Sequence, residues 1–354
     1  MTPVAVDQPT PVPHPRTGSV PVPLLGGWAP VRGLLVTAVA SGLSLLLAVL
    51  ALGLGDLPLS PGEVLQALVA TDGSFTSTVV RDWRLPRVLA ALVFGSALAV
   101  SGAIFQSLTR NPLGSPDVIG FASGAYTGAL VALTVVGAGA VSASAGALVG
   151  GLLTAIVVYL LAYRRGMQGF RLIIVGIAVT AMLHAANLFL LLRAQQDVAM
   201  AAAIWGAGSI SLLGWPTLIP AVIGLLLCTP GLLLTPSLRQ LELGDDAAAA
   251  HGVSVERVRI GLVLFAVALV AIVTAGAGPI AFVALSAPQV ARRLAGSAGI
   301  PLFASAAVGA LLLLCADLIA QHALPVDVPV GIVTVVLGGI YLLTLLVNEA
   351  RSRR

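Results

Sequence analysis

Along this chain, long intervals without a single charge alternate with short polar breaks. The charge-free intervals are 33–55, 88–109, 118–163, 172–192, 198–238, 260–291, 294–316 and 328–348. A membrane-crossing helix needs about 20 apolar residues, so 118–163 has room for two helices, broken near "GAGA" at 137–140. The 198–238 interval holds one full span after Pro216, preceded in "AAAIWGAGSISLLGW" by a short helix suited to the membrane interface. In 260–291, "AGAGP" at 275–279 separates a full helix from a shorter one that ends at Arg292 and Arg293. The pattern predicts an all-α integral membrane protein with a bundle of ten transmembrane helices.

Composition agrees. Hydrophobic residues make up 58% of the chain and charged residues 9%, with a mean hydropathy of +1.05, well outside the range of soluble domains. Residues 1–30 carry eight prolines and little apolar periodicity, and read as a disordered tail before a membrane domain spanning 31–350. The run 33–55 is too long for the core of a signal peptide and is expected to stay as a span. All 18 basic residues are arginine. The absence of lysine excludes the P-loop, whose lysine holds nucleotide phosphates. Ten spans put both termini on one side. With the termini in the cytoplasm, fourteen arginines lie inside and only Arg81, Arg84, Arg87 and Arg193 outside, as the positive-inside rule favours. The arginines flank apolar runs instead of gathering on one face, so the pI near 9.7 reflects topology, not nucleic-acid binding. Cys228 and Cys315 sit apart in apolar stretches and are expected in the core. Neither a metal site nor a cofactor is expected.

Few polar groups lie deep in the spans, where ionisable side chains are costly and informative. They are His184, with Asn187 one turn away, and Asp317; two isolated groups make a poor proton relay. At the outer side, "RDWRLPR" places Arg84 and Arg87 three apart, on one helix face just above the membrane. They suit either interfacial anchoring or docking of an acidic partner through bidentate contacts. The turn "RNPLGSPDVIG" has prolines to stop and start helices, with Asn111 and Asp117 placed to cap them. The stretch "LELGDDAAAAHGVSVER", 241–257, is an acidic, alanine-rich island on the cytoplasmic side.

These stretches resemble the FecCD-type permeases, importers of iron–siderophore complexes, haem and vitamin B12. The likeness runs from "RLPRVLAALVFGSALAVSGAIFQSLTRNPLGSPDVIGFASGA" through "LGDDAAAAHGVSVERVR", "GPIAFVALSAPQVARRLAG" and "GALLLLCADLIAQ" to "VPVGIVTVVLGGIYLLTLL". It is greatest to the ferric-enterobactin branch. The resemblance implies a permease subunit of a type II ABC importer in the cytoplasmic (inner) membrane, without catalysis of its own. ATPase subunits would lie below, an extracytoplasmic siderophore-binding protein above, and a second permease subunit beside it, in a heterodimer or a homodimer. It also implies coupling helices at about 238–256 that sit in the ATPase, carried over to Leu243, Gly244, Asp245, Asp246, Ala250, His251, Gly252 and Val253. Gly252 is the expected turn between two short helices. Arg84 and Arg87 match arginines that dock the binding protein, and Asn111 matches a residue of the cytoplasmic gate. Vitamin B12 permeases carry a further arginine where this chain has Gln321, which argues against that branch. A haem or B12 permease of the same family, or a proton-coupled secondary transporter, are the alternatives.

Overall fold

In lipid, a stretch without charges can satisfy its backbone polar groups within itself only as a helix, and that is the form the apolar intervals take. The computed structural model describes residues 19–22, 27–70, 73–117, 120–136, 140–163 and 169–352. A β hairpin, β1 (Ser19–Val22) and β2 (Gly27–Pro30), precedes the helices. Then come α1 (Val31–Gly53), α2 (Pro61–Val69) and α3 (Phe75–Thr78), the last running through a π-helical turn (Val79–Arg84) into α4 (Leu85–Thr109). Next are α5 (Phe121–Val131), with a π-helical end at Ala132–Val136, α6 (Ala140–Ala162), α7 (Gly169–Arg193) and the short α8 (Gln196–Gly206). α9 (Trp215–Leu227) continues through a 3-10 turn (Thr229–Leu234) into α10 (Thr235–Leu243). The series closes with α11 (Asp245–Ala250), α12 (Val255–Ala277), α13 (Val283–Ala295), α14 (Leu302–His322) and α15 (Val330–Ser352).

Among the described residues, seven helical stretches are long and apolar enough to cross a membrane: 31–53, 75–109, 143–162, 171–193, 215–243, 255–277 and 302–322. Phe121–Val135 and Val330–Thr344 are shorter apolar helices, and α13 is a 13-residue segment that carries Arg292 and Arg293 in its last turn. Ten is reached only by counting these three. Two boundaries differ from the pattern. The helix expected to begin near 88 already runs from Phe75, so "RDWRLPR" is helical and not a loop. The span expected at 294–316 starts instead at Leu302, because Gly296, at φ 60°, takes the left-handed conformation that ends α13, and Pro301 starts the next helix. Within the expected disordered tail, β1 and β2 pair antiparallel with Val20 opposite Ala29 and Pro21 opposite Trp28; residues 1–18 and 23–26 lie outside the described residues.

α4 is the central helix, packed against α12, α13 and α14. Its glycines explain how. A methyl group on Gly95 would overlap the backbone of Gly309 on α14, and one on Gly102 the carbonyl of Ala284 on α13. In the same way α5 meets α6 through Gly124 and Gly128 against Gly146 and Gly150, the four-residue spacing that lets helix backbones approach in membranes. α1 buries only Gly33, Ala40, Ser44, Ala48 and Leu52, a stripe of mostly small residues, while Leu35, Val39, Leu45 and Leu46 face outward.

Candidate functional site

The corner expected to face outward is built on the junction of the π-helical turn with α4. Arg84 turns toward the end of α1, where Nη1 donates to Leu52 O at 2.8 Å and Nη2 to Leu57 O at 2.8 Å. Leu52 O is one of the end carbonyls that a helix C-terminus leaves without partners, Leu57 O belongs to the segment after α1, and a cation here complements the negative end of the helix dipole. Arg87 turns the other way, to α14. Its Nε donates to Asp317 Oδ1 and Oδ2 at 3.2 and 3.0 Å, and its Nη2 to Oδ1 at 2.9 Å. Gln321 Nε2 adds a donor to Oδ2 at 2.6 Å. The Asp317 side chain is 2% exposed and that of Arg87 16%. The expectation of two open guanidiniums on one outward face is therefore corrected: both are engaged within the chain. A buried carboxylate requires donors, and Arg87 is the charged one within reach.

On the other side, α10 and α11 form two short helices joined at Gly244, whose φ of 125° and ψ of 153° only glycine adopts readily. Gly252, at φ 81°, follows α11 and leads to α12. The turn between the two short helices is thus Gly244 and not Gly252, because Gly244 is the residue between the end of α10 and the start of α11. The adjacent acids part ways. Asp245 Oδ1 accepts from Arg110 Nη2 at 3.2 Å and Arg259 Nη2 at 2.7 Å, pinning α11 to α4 and α12. Asp246 lies exposed, along with Leu243 (68%), Ala249, Ala250, His251 and Gly252; Val253 is half-buried. His251 Nδ1 lies 2.7 Å from Gln240 Oε1. Glu242 accepts from Ser107 Oγ at 2.6 Å, a second brace to α4. Sequence reading missed these braces, because Arg110, Arg259 and Ser107 carry no local signal of their distant partners.

Asn111 lies beyond Arg110, which ends α4 at φ 49°, and its Oδ1 accepts from Leu113 N at 2.9 Å. It borders a cavity of about 410 Å³ together with Arg110, Arg239, Glu242, Gln289 and Arg292. The cavity reaches a buried amide pair, in which Gln289 Nε2 donates to Gln106 Oε1 at 2.6 Å and Gln106 Nε2 to Leu285 O at 2.9 Å. Asp117 does not cap α5, whose N-cap is Gly120 without a side-chain bond. Its carboxyl is pushed up to about 6 by burial, against a hydrogen bond from the Phe282 backbone that lowers it. Of the two polar groups on α7, His184 and Asn187, it is Asn187 that is buried in the bundle. Thr127 Oγ1 donates to its Oδ1 at 2.7 Å, and its Nδ2 donates to Ser123 O at 3.3 Å. His184 is exposed on the outside of α7. Among the described residues no cluster of His, Cys, Asp and Glu has the makings of a metal site.

A multi-pass bundle of apolar helices, with a braced pair of short helices on one side and two internally engaged arginines on the other, defines a polytopic integral membrane protein. Comparison with known proteins makes this specific. The model of the FecCD transport family matches residues 43–348. The chain is 51% identical over 301 residues to the ferric enterobactin transport system permease protein FepG of Escherichia coli (strain K12), covering 84% of this chain and 91% of that protein. It is 39% identical over 325 residues to the achromobactin transport system permease protein CbrC of Dickeya dadantii (strain 3937), covering 89% and 92%. Among solved structures, a metal-chelate type ABC transporter in an inward-facing conformation superposes with a TM-score of 0.78 at 28% identity, covering 89% of this chain and 99% of that one. The chain belongs to the FecCD transport family. It is a permease component of an ABC importer, and membership implies an ATPase and a binding protein as partners.

Proposed function

We propose that this subunit forms, with a second permease, the path by which a ferric siderophore crosses the cytoplasmic membrane, and that the chelate is a catecholate of the enterobactin type. The observation that carries the substrate is the 51% identity to the ferric enterobactin permease, maintained over most of both chains. The exposed surface of Leu243, Asp246, Ala250 and His251 supports the coupling role, since it is small, partly acidic and rigidly braced. The arginine count supports cytoplasmic termini and, with them, a cytoplasmic position for that surface. The outer corner around Arg84 is the docking surface for the binding protein, and Asn111, bordering the polar cavity, belongs to the cytoplasmic gate. A sister permease is the expected partner in the membrane. Binding-protein docking outside and nucleotide binding inside then bias one two-state bundle.

The test is uptake of radiolabelled ferric enterobactin by cells lacking their own permease and carrying this subunit with its cognate partners. Uptake is expected to stop on ATP depletion and to survive collapse of the proton gradient. Transport of ferric hydroxamates, haem or vitamin B12 in its place would refute the substrate. Uptake that follows the proton gradient would refute the mechanism.

A further inference from the structure

We infer that the two arginines of the outer corner have separate tasks: Arg84 presents the positive charge that meets an acidic face of the binding protein, while Arg87, Asp317 and Gln321 form an internal tie between α4 and α14. The inference deepens the docking reading above and rests on it for the Arg84 half only.

The geometry separates them by charge. Arg87 and Asp317 meet side-on through three hydrogen bonds, and a guanidinium paired in this way with a buried carboxylate is neutral as seen from outside. Gln321 donates to the same carboxylate but brings no charge. Were residue 321 a second cation, Asp317 would be shared and one of its partners left with positive charge to offer. As it stands, Arg87 is the one guanidinium within ion-pair distance of Asp317 among the described residues. Arg84 is held by two carbonyls, whose dipoles orient it without cancelling its unit charge. Asp56 acts on it electrostatically, but no carboxylate makes an ion-pair contact with it among the described residues. A fixed cation with no carboxylate in contact, at the outer edge, is what an acidic partner reads at long range.

The tie has its own structural logic. α4 and α14 run antiparallel along one seam. Gly95 touches Gly309, and eight residues outward on each helix, about 12 Å along the axis, Arg87 meets Asp317. The ion pair thus clamps the outer end of a seam that glycine contacts hold at its middle. Removing one member of a buried pair leaves an unpaired charge, whereas replacing both with apolar groups of similar volume is often neutral.

The experiment uses the complete importer with its ATPase, second permease and binding protein, and reads two quantities: binding-protein affinity at low and high salt, and the thermal midpoint of the complex. Arg84→Gln is expected to weaken docking about tenfold at low salt and to flatten the salt dependence, while Arg84→Lys keeps both. Arg87→Met and Asp317→Leu should each lower the thermal midpoint. The double variant Arg87→Met/Asp317→Leu should recover it and bind the binding protein within about twofold of the wild type. A double variant that regains stability but loses docking about tenfold would show that Arg87 itself docks and overturn the division of tasks. A double variant no more stable than the worse single would overturn the tie. If every variant docks normally while the double variant still rescues stability, the docking reading falls and the tie stands.

Discussion

Asp117 shows at one residue how burial sets a pH dependence. Its carboxyl titrates near 6 in the folded chain because burial disfavours the charged form. Below about pH 4 it is protonated in both folded and unfolded chains and costs nothing. As pH rises to 6 the unfolded chain releases its proton first, so stability falls by roughly 3 kcal/mol and is then level. Asp117→Asn keeps an acceptor for the Phe282 N–H and removes the titration. The variant is expected to show a flat thermal midpoint between pH 4 and 6, where the wild type declines, and a higher midpoint at pH 7. A second residue-scale prediction concerns Gly102, which faces the Ala284 carbonyl with no space for a side chain. Gly102→Val should abolish the α4–α13 contact, and detergent-solubilised protein is expected to aggregate in size-exclusion chromatography. The chain places Gly95 and Gly102 seven apart, about two helical turns, but which carbonyl each meets depends on where α14 and α13 pack.

At the scale of elements, the short helices α10 and α11 depend on a turn and on a brace. Gly244 has open space around it, so Gly244→Ala tests the backbone alone. Forcing a Cβ into that conformation costs of order 1–3 kcal/mol and should swing α11 away from its position. The expected result is loss of ATPase co-purification with the membrane bundle intact. The neighbouring acids should then differ. Asp246→Arg alters an exposed surface and is expected to uncouple ATP hydrolysis from uptake without lowering the thermal midpoint. Asp245→Ala strips Arg259, whose side chain is 9% exposed, of its closest carboxylate and should lower the midpoint by an amount worth about 1–3 kcal/mol. Composition marked the whole island as polar and helical. It offered nothing to tell Asp245 from Asp246, because that choice depends on Arg110 and Arg259 arriving from other helices.

For the whole molecule, the uneven distribution of arginines predicts an orientation with both termini in the cytoplasm. With Cys228 and Cys315 replaced by alanine, a single cysteine at Asp82 should react with a membrane-impermeant thiol reagent in intact cells. One at Ala250 should react only in inverted vesicles. The reverse pattern would overturn the topology.

What the sequence alone determined is the set of apolar intervals, their approximate number and the family likeness. These follow from local content: apolar length, charge at the ends, and motifs contiguous in the chain. The tertiary structure decided what no local content holds. It turned Arg87 inward onto Asp317, 230 positions away, and Arg84 onto the end of α1. It buried Asn187 and left His184 outside, and it gave the turn between α10 and α11 to Gly244. A side chain's partner is set by which helices meet and in what register, and that register comes from backbone contacts at glycines spread along the whole chain.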